Sequence, residues 1–172
     1  MMAVKQGETE KLSLIYEKHK KRFYNYFVKM TSDREVSQDL LQNLFVRILK
    51  YKHSYKLSQP FLPWSYRIAR NLVYDLSKKP SVTDSAIELE NIQVQMPDKS
   101  EELLVVEREG KLKRVIALLP LERRELITWT KIEGMKYEEV ARIKEITVGA
   151  VKVQVHRAMA QLKTLYFESN EE

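Results

Sequence analysis

The sequence predicts an all-α protein: two small helical domains joined by a flexible acidic linker, the second containing a helix-turn-helix. Three observations carry this. Helix breakers are scarce, 4 Gly and 5 Pro in 172 residues, while 44% of the chain is hydrophobic, enough to pack a core and too much for a disordered chain. Apolar residues recur at intervals of three and four in separate blocks, the signature of amphipathic helices. Charge is segregated as well. Residues 1–80 carry 16 Lys and Arg against 7 Asp and Glu, residues 81–102 carry 1 against 6, and residues 103–172 carry 13 against 11. A basic block, an acidic tether and a mixed block follow one another, so 8–80, 81–102 and 103–168 are the expected units.

In the first unit Leu12, Ile15, Tyr16, His19, Phe23, Tyr26, Phe27 and Met30 fall on one stripe of a helix from about Glu8 to Met30. Thr31, Ser32 and Asp33 offer N-caps for a second helix, in which Val36, Leu40, Leu41, Leu44, Ile48 and Leu49 keep the period until it fades near Lys52. Residues His53 to Pro63, with two prolines and two serines, read as a loop, and Trp64, Ile68, Leu72 and Leu76 mark a third helix to about Lys78. Pro80 to Pro97 lacks sustained periodicity and reads as the linker. Periodicity resumes through Leu103, Leu112, Val115, Ile116 and Leu119, breaks at Pro120, and continues in a helix from Leu121 to about Ile132 that Gly134 ends. Two more helices follow, Tyr137 to Lys144 and Thr147 to about Tyr166.

These last two have the layout of a helix-turn-helix. Val140 and Ile143 would face the core, Ala141 permits a close crossing, Ile146 plugs the turn and Thr147 caps the second helix. That helix then presents Lys152, Gln154, His156 and Arg157, donors suited to phosphates and base edges in a major groove. In the third helix of the first unit, Tyr66, Arg67, Arg70, Asn71 and Tyr74 combine aromatic faces, cations and an amide, the chemistry that binds unstacked single strands. Trp64 belongs either to the core or to the edge of that surface.

Composition excludes much else. Without cysteine there are no disulfides and no thiolate chemistry. The three histidines lie on different elements without metal-ligand spacing, and no Gly-rich phosphate loop occurs, so no catalytic residues, no metal and no cofactor are expected. No stretch approaches the roughly 18 apolar residues of a membrane span, and Met1 to Glu10 lacks the apolar core of a secretion signal. A cytoplasmic protein without direct membrane insertion is expected. A stand-alone helix-turn-helix regulator is one reading, though it gives no reason for a helix from Trp64 to Asp75 that is both basic and aromatic. A helical adaptor that binds only protein leaves the Lys152 to Arg157 surface unexplained.

Several segments carry a resemblance that separates these readings. Leu118-Leu-Pro-Leu-Glu-Arg-Arg-Glu-Leu, Glu133-Gly-Met-Lys-Tyr-Glu-Glu-Val-Ala and Ile146-Thr-Val-Gly-Ala-Val-Lys-Val-Gln-Val-His-Arg-Ala resemble the C-terminal domain of extracytoplasmic-function sigma factors. Ser37-Gln-Asp-Leu-Leu-Gln-Asn-Leu-Phe-Val-Arg and Phe61-Leu-Pro-Trp-Ser-Tyr-Arg-Ile-Ala-Arg-Asn-Leu-Val-Tyr-Asp resemble the core-binding and promoter-melting segments of the same family. The likeness covers about residues 10–80 and 103–166, in the family's order.

The resemblance implies an alternative sigma factor, whose partners would be core RNA polymerase, promoter DNA and an anti-sigma factor. By that likeness Asp39, Gln42, Asn43, Phe45 and Arg47 contact the clamp of the polymerase largest subunit, Phe45 being divided between this role and the core. The loop His53 to Phe61 and the face of Trp64, Tyr66, Arg67, Arg70, Asn71 and Tyr74 read the minus-ten element on the non-template strand. Thr147, Lys152, Gln154, His156 and Arg157 read the minus-thirty-five element. Some positions depart from the family. Asn43 stands where Glu is usual, Lys144 replaces an apolar residue, Glu145 replaces the turn glycine, and Val153-Gln154 stands for Ser-Arg. A non-glycine residue is costly in a left-handed backbone, so a slightly different turn is expected. Because the acidic linker repels DNA and each unit is small, the free chain is expected to bind promoters poorly until polymerase joins it.

Overall fold

The computed structural model describes residues 1–78 and 101–168; the expected linker, Pro80 to Pro97, lies outside them. The first half holds a short α1 (Met2–Lys5), α2 (Leu12–Thr31), α3 (Arg34–Lys50) and α4 (Phe61–Ser77). Ser32 turns left-handed (φ 58°) to end α2, and the Asp33 carboxylate accepts the Val36 N–H at 3.0 Å to open α3. Such a cap contributes about 0.5–2 kcal/mol. Helix α4 begins three residues before Trp64, because Pro63 sits in its first turn, where a missing N–H removes no helical bond. The preceding loop therefore ends at Pro60 and contains a 3-10 turn, Lys52–Ser54. Phe23 and Phe27 of α2, Leu40, Leu41, Leu44 and Ile48 of α3, and Ile68, Leu72 and Val73 of α4 form the core between these helices.

The second half holds α5 (Glu101–Leu118), α6 (Leu121–Ile127), α7 (Tyr137–Lys144) and α8 (Val148–Glu168). Helix α6 runs on through one π-helical turn, Thr128–Ile132, in which the Glu133 N–H reaches back five residues to the Thr128 carbonyl at 2.9 Å. Gly134, at φ +64°, then stops it. Val140, Ala141 and Ile143 are buried as the helix-turn-helix pattern requires, Ile146 packs against the core from the turn, and Thr147 Oγ1 accepts the Ala150 N–H at 3.1 Å. A smaller apolar cluster joins Val115 and Ile116 of α5 and the adjoining Leu119 to Ile127, Ala158 and Leu162.

The main core does not stop at the boundary between the halves. Helix α6 packs on α2, and α7 packs on α4. Trp129, fully buried, stacks on Tyr26 (ring centroids 5.9 Å apart, 12° between planes) and meets Tyr66 edge-on at 5.9 Å. Aromatic pairs of this kind contribute about 0.5–1.5 kcal/mol each beyond the area they bury. The two halves thus share one apolar cluster. Nothing in the charge pattern of the sequence announces that contact.

Candidate polymerase and nucleic-acid surfaces

On α3 the helical period separates two faces. Leu40, Leu41 and Leu44 point into the core, while Asp39, Gln42 and Asn43 are exposed. Arg47, half-exposed, donates to Asp75 at 3.2 Å. Phe45 requires a correction. Four residues from Leu41, it lies on the apolar stripe, only 7% exposed, edge-on to Tyr16 at 4.9 Å and Phe23 at 6.3 Å. It builds the core, and of the α3 residues expected to meet polymerase the accessible ones are Asp39, Gln42, Asn43 and Arg47.

Trp64 is likewise core, meeting the buried Tyr55 edge-on at 5.2 Å. Tyr55 in turn fixes the loop before α4: its hydroxyl donates to the Gln59 carbonyl at 3.1 Å, and its own carbonyl accepts from Lys5 Nζ at 2.7 Å. Tyr66, Arg67, Arg70 and Tyr74 share one face of α4, with Asn71 exposed beside them; the Tyr66 ring itself is fully buried, packed against Phe23 at 4.8 Å and Tyr26 at 5.3 Å of α2 as well as Trp129. Carboxylates from the second half lie against this face.

Glu125 is the deepest of these, fully buried. It accepts from Tyr26 Oη at 2.8 Å with one oxygen, and from Arg70 Nε at 3.2 Å and Tyr74 Oη at 3.3 Å with the other. Glu133 accepts from Tyr66 Oη at 2.5 Å and from Arg22 Nε at 2.9 Å. Glu145 accepts from Arg67 at 2.9 Å, and the Arg142 carbonyl takes a second Arg67 N–H at 3.0 Å. Burial pushes the Glu125 carboxyl above the usual carboxylate range, although Arg70 and the Tyr26 hydroxyl oppose the shift. Burial, with the adjacent Glu125 charge, lifts the Tyr74 phenol to about 12. Burial and Glu133 push Tyr66 well above its ordinary value. The phenols therefore stay protonated and serve as donors to the carboxylates.

In the helix-turn-helix, Lys152, His156 and Arg157 are exposed and Gln154 is half-buried. The Thr147 hydroxyl is engaged as the cap of α8. Glu145 does adopt the left-handed conformation (φ 57°, ψ 41°) that glycine fills at least cost. The turn thus keeps a left-handed residue rather than changing shape. Lys144, in place of an apolar residue, is half-buried; burial pulls its ammonium pKa down, and the charge of Glu125 opposes that shift.

Both halves of the chain match known families: Sigma-70 region 2 over residues 15–81 and Sigma-70 region 4 over residues 109–162. Over 157 residues the chain is 31% identical to the ECF RNA polymerase sigma factor SigM of Bacillus subtilis, covering 88% of this chain and 93% of SigM. The chain belongs to the extracytoplasmic-function (ECF) sigma factors. The RNA polymerase sigma factor CarQ of Myxococcus xanthus is 25% identical over 98% of this chain and 96% of its own. The fold is shared with the sigma factor RpoE of Bartonella quintana, solved in complex with the anti-sigma factor NepR (TM-score 0.65, 21% identity, 91% of this chain and 94% of that one). This ECF sigma factor directs RNA polymerase to promoters, and the stand-alone regulator finds no support. Among the described residues no helix is long and apolar enough to cross a membrane.

Sequence reasoning missed Arg22, Glu125 and Glu133 as site residues. A signal existed for Glu125: it lies four residues from both Leu121 and Trp129, so a carboxylate sits on an apolar stripe and must find a donor. Its partners, Tyr26 and Arg70, are 99 and 55 residues away, and no local pattern names them.

Proposed function

We propose that this sigma factor divides initiation among three surfaces. The exposed patch of Asp39, Gln42, Asn43 and Arg47 binds the clamp of core polymerase. Tyr66, Arg67, Arg70, Asn71 and Tyr74, with the loop held by Tyr55, take the unpaired non-template strand of the minus-ten element. Lys152, Gln154, His156 and Arg157, on the helix that Thr147 caps, read the minus-thirty-five element, and residues 81–102 tether the two domains. The observation that carries this reading is the α4 face, where two phenols and two guanidinium groups stand in one row; rings stack on bases and guanidinium forks hold phosphates. The factor works in the cytoplasm without catalysis of its own, and an anti-sigma factor, of the kind seen with RpoE of Bartonella quintana, holds it in check.

The reading is tested by adding the chain to core polymerase and sequencing transcript starts from a random promoter library. One minus-ten and one minus-thirty-five motif should emerge. Asn71→Ala should alter the first alone, and Gln154→Ala should broaden the second alone. Motifs unchanged by both substitutions would refute the assignment of these helices.

A further inference from the structure

The loop between α3 and α4, residues 51–60, has little to hold it from within. The 3-10 turn Lys52–Ser54 and the bond from the Tyr55 hydroxyl to the Gln59 carbonyl order its backbone. Among the described residues its hydrogen bonds run to neighbours at most four positions away, with one exception. The Lys5 ammonium donates to the Tyr55 carbonyl at 2.7 Å, across 50 positions of sequence. Residues 1–11 bring Lys5 there. Gly7, at φ +114°, lies in a backbone region that other residues rarely adopt, and the chain reverses around it, the Glu8 N–H donating to the Ala3 carbonyl at 3.0 Å. Helix α1 therefore folds back onto the turn Lys52–Ser54, with Val4 fully buried and Met1 and Met2 packed on the main core.

We infer that residues 1–11 brace the minus-ten loop: Lys5 is a positioning residue that fixes the Tyr55 backbone and, through it, sets the tip Lys56 to Ser58 against an unpaired base. This rests on the reading of the loop as part of the minus-ten surface. The brace lies outside the Sigma-70 region 2 match, which begins at residue 15.

The geometry suits a support that leaves the recognition groups free. Tyr55 is held on three sides, its ring edge-on to Trp64, its hydroxyl on the Gln59 carbonyl and its own carbonyl on Lys5. Past it the loop is open: Lys56, Leu57 and Ser58 are exposed, Leu57 by 75%. An anchored base with a free tip is what a loop needs to meet one unstacked base, because such contacts discriminate only when their geometry is set before the base arrives. A bond from an ammonium to a carbonyl is stronger than one between neutral groups. Since it falls on the backbone, it sets where the chain runs without choosing the side chains at the tip. The brace therefore governs how sharply the loop discriminates, and it leaves α3 and α8, which take polymerase and the minus-thirty-five element in the same proposal, untouched.

The test uses the full chain with core polymerase and the random promoter library. Lys5→Met keeps an unbranched stem and removes the donor, Lys5→Arg keeps a donor, and Leu57→Ala alters the tip directly. The inference predicts that Lys5→Met lowers preference for the best minus-ten base about tenfold, the order that one bond to a charged group contributes. Lys5→Arg should restore most of that preference, while affinity for core polymerase and the minus-thirty-five motif stay as in the parent. Gly7→Ala, which meets no neighbouring atom but strains the reversal, must shift the minus-ten motif in the same direction, and it decides the matter if Lys5→Met does not fold. A minus-ten motif altered by Leu57→Ala but unchanged in every folded brace variant, even one with a lowered melting temperature, overturns the brace and leaves the loop's role standing. A motif unchanged by all of them, Leu57→Ala included, overturns the assignment of the loop to the minus-ten surface and the brace with it.

Discussion

Helices α3 and α4 pack side by side in region 2, yet the polar face of α3 is open while that of α4 is occupied. The difference lies in the side chains. Asp39, Gln42 and Asn43 are short groups that water satisfies, and they stand exposed. Tyr66, Arg67, Arg70 and Tyr74 are large amphipathic donors; region 4 accepts their hydrogen bonds, and its Trp129, with Phe23 and Tyr26 of α2, encloses the Tyr66 ring. On the proposed division of roles, a surface meant for another protein can wait in solvent, whereas one meant to stack on bases carries enough apolar area to attract the nearest alternative.

The largest expected effect comes from removing the ring that seals α4. Trp129→Ala should destabilise the chain by about 3–5 kcal/mol, the usual cost of emptying a buried aromatic site. It should also make the exchange of α4 amides approach that of α3. Urea denaturation and hydrogen exchange check both parts, and unaltered protection of α4 would mean that Trp129 does not hold the two regions together. On the open helix the outcome reverses: Asp39→Lys should weaken binding to core polymerase by more than about 1 kcal/mol while stability stays within about 0.5 kcal/mol. A titration against core polymerase beside a thermal melt decides it, and lowered stability with unchanged affinity would make α3 merely structural.

Smaller effects sharpen the contrast. The docked form holds the Glu125 proton above the ordinary carboxyl range, so docking is favoured at low pH and that advantage is lost as pH rises through the raised value. Tyr26, Arg70, Tyr74, Lys144 and Glu122 all act on this site, and Glu125→Gln should flatten the dependence. Urea denaturation across a pH series measures it; an equal slope in the variant would assign the titration elsewhere. Least of all, Glu145→Gly relieves a left-handed strain of about 1–2 kcal/mol but loses an exposed ion pair worth about 0–1 kcal/mol. The sum is a gain of about 0–2 kcal/mol, read as a slightly raised melting temperature.

Much of this was legible in the sequence. The stripe from Leu12 to Met30, the Asp33 cap, the stop at Gly134 and the Thr147 cap follow from period and capping chemistry, which are local. The start of α4 was hidden because Pro63 reads as a breaker although a first turn tolerates it. Phe45 was divided between core and surface because the stripe of α3 is wide enough to include it. The contact between the halves was invisible for a different reason. It joins residues such as Arg67 and Glu145, 78 positions apart, and each taken alone reads as an ordinary exposed charge.

The central claim is that the α4 face, as proposed, reads the non-template strand within the polymerase complex. A photo-crosslinking amino acid in place of Asn71, exposed beside that face, tests it most directly. With core polymerase and a promoter, crosslinks should form to the minus-ten segment of the non-template strand, and the free chain given the same single strand should form almost none. Crosslinks of equal yield from the free chain, or none to that strand in the open complex, would contradict the account.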